Sequence, residues 1–203
     1  MYCISPSFVL GFHGCEREIG ERVLAGEATL LDSTNDYDWL GRGAYFWENN
    51  PQRALSFATN AQKRSSIKNP FVIGAVIDLG RCLDFTTESA LREIRQTDLW
   101  LEAASKEEGG QPLKKNNPYL RRLDCQVIDA LHTFREVTEA PAYDSVRSPF
   151  WEGERLYPGT DFMHETHVQL AIRNVKSIKG YFRVLDLAGK PVVVLFETVL
   201  GWT

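Results

Sequence analysis

The sequence predicts an α+β fold built on a mixed or antiparallel sheet. Strand and helix patterns alternate irregularly through the first two thirds, whereas the final third is almost all strand, an order that disfavours a doubly wound parallel sheet. A composition of 43% hydrophobic and 25% charged residues is that of a globular chain, and 203 residues suit a single domain spanning 1–203.

The elements follow from local pattern. Phe8 to Gly14 is a short apolar run closed by glycine, read as a buried strand. Glu16 to Ala25 carries Ile19, Val23 and Leu24 on one helical face, with Gly26 as a stop. The stretch from Asp32 to Gly43 is rich in turn formers and reads as a loop. Ala44 to Trp47 is a second strand, after which Asn50 caps and Pro51 starts a helix over Gln52 to Arg64. Phe71 to Leu79 is a Val/Ile-rich strand, and Ser89 to Ala104 and Tyr119 to Phe134 have helical apolar spacing, separated by a breaker-rich loop. The segment from Phe134 to Gly159 reads as irregular. In the strand that follows, Glu165, His167, Gln169, Ala171 and Arg173 face one way and Thr166, Val168, Leu170 and Ile172 the other. Two further strands are expected, near Ile178 to Val184 and Pro191 to Leu200.

Charge and cysteine usage narrow the function classes. Twenty-three basic against 27 acidic residues leave a net charge of −4, so no global positive field recruits nucleic acid or anionic lipid. There is no long apolar run and no leader-like N-terminus, and the four cysteines have neither CxxC nor short Cys/His spacing. A cytoplasmic protein with reduced thiols, no membrane partner and no metal is expected. His164 and His167 would lie on opposite faces of a strand, so they do not make a metal pair. Nucleotide motifs fail as well: Phe46 stands where GxGxxG needs its third glycine, and there is no GxxxxGK[ST].

His13, at a strand end before Gly14, offers a ring nitrogen to a ligand hydroxyl, and the glycine lets a planar amide approach the backbone. Tyr45 and the aromatics of the preceding loop can stack on a flat heterocycle, worth about 0.5–1.5 kcal/mol beyond area burial. Such a pocket suits nicotinamide. Taken singly, His13 reads equally well as a satisfied core histidine, whereas Phe46 and Trp47 read better as core aromatics.

Phe12-His13-Gly14, the block Gly41-Arg42-Gly43-Ala44-Tyr45-Phe46 with Ala54 and Phe57 behind it, and a late strand bearing a polar residue resemble the three motifs of the ADP-ribosyltransferase superfamily. The branch they resemble is the histidine-tyrosine-glutamate one of the poly(ADP-ribose) polymerases and diphtheria toxin. Asn35 to Glu48 and Ile178 to Phe182 also look like a group of uncharacterised bacterial proteins of that fold. The resemblance implies two small mixed or antiparallel sheets around an NAD cleft with flanking helices, and NAD as substrate. It implies NAD contacts from His13, Gly14, Asn35, Tyr37, Gly43, Tyr45 and Phe46.

The third motif departs from the pattern. Alignment puts Gln169 where the superfamily has its glutamate, with Glu165 as the competitor about 13 Å away along the same strand face. Glutamine has no charge for a developing cation and cannot act as a base, so the resemblance implies transfer of a single ADP-ribose to a macromolecular acceptor, protein or nucleic acid. An NAD glycohydrolase and a catalytically inactive NAD- or ADP-ribose-binding module are the alternatives. Asp144 to Arg147 and Glu152 to Arg155 fall where the superfamily often keeps an acceptor loop. A toxin–antitoxin or defence partner suits this reading.

Overall fold

A computed structural model describes residues 8–30, 32–63, 67–117 and 120–185. The elements are β1 (Phe8–Glu16), α1 (Arg17–Leu24), β2 (Ala44–Glu48), α2 (Pro51–Lys63), β3 (Pro70–Asp78), β4 (Cys82–Asp84), α3 (Glu88–Ser105), α4 (Arg122–Val137), β5 (Ser145–Phe150), β6 (His167–Ile172) and β7 (Ile178–Arg183). The expected α+β class holds. The strand expected near Pro191 to Leu200 lies outside the described residues. Among the described residues no helix is long and apolar enough to cross a membrane.

The strands form one seven-stranded sheet in the order β4-β5-β6-β2-β1-β3-β7, which corrects the expectation of two small sheets. β2 joins what would have been separate sheets, because it pairs with β6 on one side and β1 on the other. The β1/β2 ladder has only Gly11 opposite Glu48 and Phe12 opposite Trp47, whereas β1 and β3 pair along their whole length. The sheet therefore has a narrow waist at its centre. Every neighbouring pair is antiparallel except β4 and β5, whose parallel register requires a long crossover, supplied by α3 and α4.

β5 corrects the reading of 134–159 as irregular, since Ser145 to Phe150 is a strand. Its one proline, Pro149, lies past the end of three-residue β4, where β5 has become an edge.

Three apolar clusters hold the layers. Phe46, Phe71, Ile73, Ile77, Leu170 and Ile172 pack with Val23 of α1 on one face of the sheet. On the opposite face, Phe12, Trp47 and Val72 meet Ala54 and Leu55 of α2. Also on that face, Val146 and Ala171 meet Ile128 and Leu131 of α4 and Ala90 of α3. The start of α2 is as expected: Pro51 opens it, and the Asn50 side chain accepts a hydrogen bond from Arg53 N at 2.9 Å. α2 lies so close to β1 that a Cβ on Gly14 would sit 2.1 Å from the Ala54 carbonyl oxygen. Helix packing alone thus requires a glycine at position 14.

Candidate functional site

α2 covers the β1/β3 half of one sheet face and α3/α4 cover the β4/β5 half, leaving a strip between them. The cross-strand register sets its floor. Tyr45 lies opposite Ala171 and Trp47 opposite Gln169, while Ser148 and Phe150 of β5 face Gln169 and His167. Alternation puts Tyr45, Trp47, His167, Gln169, Ser148 and Phe150 on one side of the sheet, with directly opposed Cβ atoms about 4.5–5.5 Å apart.

Tyr45 and Gln169, both singled out from sequence, thus share a surface. The Tyr45 hydroxyl donates to Gly41 O at 2.6 Å and accepts from Leu40 N at 2.9 Å, so it tethers the 32–43 loop. Burial pushes the phenol far above its ordinary range, keeping it a neutral donor.

His13 sits where the β1/β2 ladder stops. Its side chain turns to the opposite side from Phe12, with its ring 5.8 Å from that of Phe46. Nδ1 lies 2.7 Å from the Tyr45 carbonyl oxygen, which can only accept, so Nδ1 carries the proton. Burial lowers the His13 pKa and holds the ring neutral, although the carbonyl bond works the other way. In the neutral tautomer Nε2 is a hydrogen-bond acceptor.

No family model, curated protein or solved structure matches this chain.

The remaining residues expected to touch a ligand divide. Asn35 and Tyr37 lie exposed in the 32–43 loop, where Asn35 Nδ2 donates to Ser33 Oγ at 2.9 Å and the Tyr37 carbonyl accepts from Arg121 N at 3.3 Å. Gly43 has φ +153° and pairs with Ser33, and a Cβ there would approach Ile172 O to 2.9 Å. The expectation for Phe46 is corrected: its side chain is fully buried in the cluster under α1, on the face opposite Tyr45, and is out of a ligand's reach in this structure. That of Glu165 is corrected in part. β6 begins at His167, so Glu165 belongs to the preceding turn, not to the strand face of Gln169. Arg147 likewise leaves the expected acceptor loop for β5, where its guanidinium joins Glu48 at 2.6 Å and Asp84 at 3.2 Å.

Sequence reasoning missed the cluster at the His167 end of the strip. Arg53, in the first turn of α2, places one terminal nitrogen 2.6 Å from Glu152 and 3.1 Å from Glu165. His167 Nδ1 lies 2.7 Å from Glu165 O and 3.6 Å from the Glu152 carboxylate. Burial leads in lowering the His167 pKa, with the Arg53 charge adding to it. Arg53 and Glu152 are 99 residues apart, and no local spacing links them. The one visible signal was two glutamates flanking a turn-rich stretch.

Aromatic contacts wall the strip beside this cluster. The Trp39 and Phe150 rings meet edge to face at 4.7 Å, Phe150 lies 5.8 Å from His167, and the Arg121 guanidinium stacks over Trp39 5.0 Å from its centroid. Gln169 Oε1, Trp47 Nε1 and Arg53 Nε are all buried without a hydrogen-bond partner among the described residues. One acceptor and two donors left unmatched on neighbouring elements mark a place where polar groups remain to be satisfied. A cavity of about 320 Å³ between α3 and α4, lined by Phe85, Ile94, Val127 and Ile128, is separate and holds none of these residues. Among the described residues, no three His, Cys, Asp or Glu side chains are grouped to hold a metal ion.

Proposed function

We propose that the chain is an NAD-dependent mono-ADP-ribosyltransferase of the histidine-tyrosine-glutamate type, which cleaves the nicotinamide–ribose bond of NAD and transfers ADP-ribose to a macromolecular acceptor. One observation carries this reading. Tyr45 and Gln169 share one face of the sheet between α2 and α4, and His13, whose side chain turns to the other face, is hydrogen-bonded to the Tyr45 carbonyl where the central ladder ends. Residues 156 positions apart along the chain, His13 and Gln169, thus both come next to Tyr45, Gln169 on the same face and His13 at its backbone.

The roles follow from their chemistry. Neutral His13 presents Nε2 as an acceptor for a ribose hydroxyl. Tyr45, its hydroxyl already engaged by the loop, offers its ring for stacking on nicotinamide, and the carboxamide is assigned to the backbone of Gly14. Gln169 holds the 2′-hydroxyl through its amide. As the glycosidic bond breaks, its electron pair leaves with nicotinamide, positive charge develops on the ribose, and the ring nitrogen becomes neutral. An acceptor nucleophile then forms the new bond to that carbon and gives up its proton. With an uncharged amide at position 169 the developing cation lacks a carboxylate from this strand, which favours a single transfer over chain elongation. The same feature favours one alternative, a module that binds NAD without turning it over.

Purified protein incubated with adenylate-labelled NAD and a cell lysate tests the reading. Expected are released nicotinamide and a labelled product sensitive to either protease or nuclease, both lost in His13→Ala. Nicotinamide without a labelled product would assign a glycohydrolase. NAD binding without nicotinamide release would assign the binding module, and no binding at all would overturn the reading.

A further inference from the structure

We propose that residues 152–165 form a lid over the His167–Gln169 end of the strip, and that Arg53 is its latch. The segment is built as a hairpin. Glu165 N donates to Glu152 O at 3.0 Å, His164 N to Glu154 O at 2.9 Å, and Leu156 N to Phe162 O at 3.0 Å, with Arg155 bridging to Met163. Gly153, at φ +80°, supplies a left-handed turn at its base, where a Cβ would lie 3.2 Å from the Glu165 side chain. Its large apolar side chains Leu156, Tyr157 and Phe162 are exposed, although Thr160 at the tip is buried.

What fastens the hairpin to the body is at its base. Glu152 and Glu165, one from each arm, converge on a single nitrogen of Arg53, which belongs to α2 on the far side of the strip. The Arg53 side chain is only 15% exposed and Glu152 26%, so this pairing is screened far less than a surface bridge. Beneath it His167 is sealed and Gln169 Oε1 is out of solvent's reach without a partner. A residue meant to bond a ligand hydroxyl cannot be loaded in that state. The arms move apart from α2 only when Arg53 releases both carboxylates. The proposal rests on the strip being the ligand site, but the latch itself can be tested without any ligand.

Limited trypsin digestion reads it directly. Arg155 lies in the hairpin, and Lys115 in the distant 106–117 loop serves as an internal reference. When cleavage is slower than reclosing, the rate follows the population of the open form. Losing a charge-assisted pair should raise the Arg155-to-Lys115 cleavage ratio about tenfold in Arg53→Gln and by a smaller factor in Glu165→Gln, whose carboxylate is 47% exposed. Glu165→Gln keeps the test valid should Arg53→Gln fold poorly. An unchanged ratio in both variants overturns the latch, as does an equal rise at both cleavage sites, which would make Arg53 a support of the whole fold. The second arm measures association of a fluorescent etheno-NAD. The rate constant should rise in Glu165→Gln in step with the cleavage ratio. A raised ratio with no faster association leaves a hinge that does not gate the site and overturns the gating role. A raised ratio with no NAD binding in any form counts instead against the proposed function, and the latch stands on the cleavage result.

Discussion

His132 makes the stability of this fold acid-sensitive in a way that can be calculated. The side chain points inward from α4, edge-on to the Tyr143 ring at 6.1 Å, and its Nε2 is buried without a partner among the described residues. Burial, then the nearby Arg173 and Arg135 charges, lower its pKa from 6.5 to about 3. The unfolded chain therefore takes up a proton below pH 6.5 that the folded chain refuses, so stability is present above that value and is lost as pH falls toward 3. Each pH unit inside this window costs about 1.4 kcal/mol, which gives a loss of about 2 kcal/mol between pH 7 and pH 5 from this residue alone. His132→Phe keeps an aromatic ring against Tyr143 and removes both the titration and the unmatched nitrogen. Urea unfolding of both proteins at pH 7 and pH 5 measures the difference. The pKa values of His13 and His167 are also lowered, so both proteins should lose stability on acidification, the wild type by about 2 kcal/mol more. Equal losses would refute the reasoning and mean that His132 is protonated in the folded protein.

The residues of the proposed site carry further expectations. Gln169→Glu should raise NAD cleavage about tenfold by supplying a carboxylate to the developing cation, measured as nicotinamide release; an unchanged or lower rate would count against position 169. Tyr45→Phe should keep the stacking ring but free Leu40 N and Gly41 O, so amide exchange at Leu40 should quicken about tenfold and NAD affinity fall with it, while unchanged exchange would mean the hydroxyl does not hold the loop. Gly14→Ala should lose about 2–4 kcal/mol of stability because its methyl has the Ala54 carbonyl in its way, and a near-neutral thermal shift would show that α2 can move aside.

Elements whose residues carry their own instructions were legible in the sequence. Asn50 and Pro51 announce α2, the Val/Ile run announces β3, and the short apolar runs ending at Gly14 and Trp47 announce β1 and β2. His13, Tyr45 and Gln169 were singled out through the motif resemblance, and Tyr45 and Gln169 share one face of the sheet while the His13 side chain turns to the other. β5 was hidden because Ser145-Val146-Arg147-Ser148-Pro149-Phe150 has little strand propensity of its own and is extended through its partners β4 and β6. Glu165 was misplaced because the alternation of β6 runs on into a turn, where only hydrogen bonding reveals that the strand has not yet begun. Phe46, favoured as a core residue on its own, became a cofactor contact only through the resemblance, because alternation alone does not say which face of a central strand is covered. The Arg53 cluster joins residues whose proximity depends on the whole topology.

The two-pair junction between β1 and β2 affects how the chain must assemble. On one side of it stand β1, β3 and β7, on the other β2, β4, β5 and β6, and the chain passes from one group to the other after β1, β2, β3 and β6. Those few hydrogen bonds carry little of the join: the halves are held by four chain crossings and by apolar clusters that span the junction, Phe46 and Leu170 against Phe71 and Ile73 on one face and Trp47 against Phe12 and Val72 on the other. Neither half is a contiguous stretch of sequence, so no truncation can isolate one of them. Folding must close long loops across the junction before either half gains its neighbours, which places this protein among the slower folders of its length.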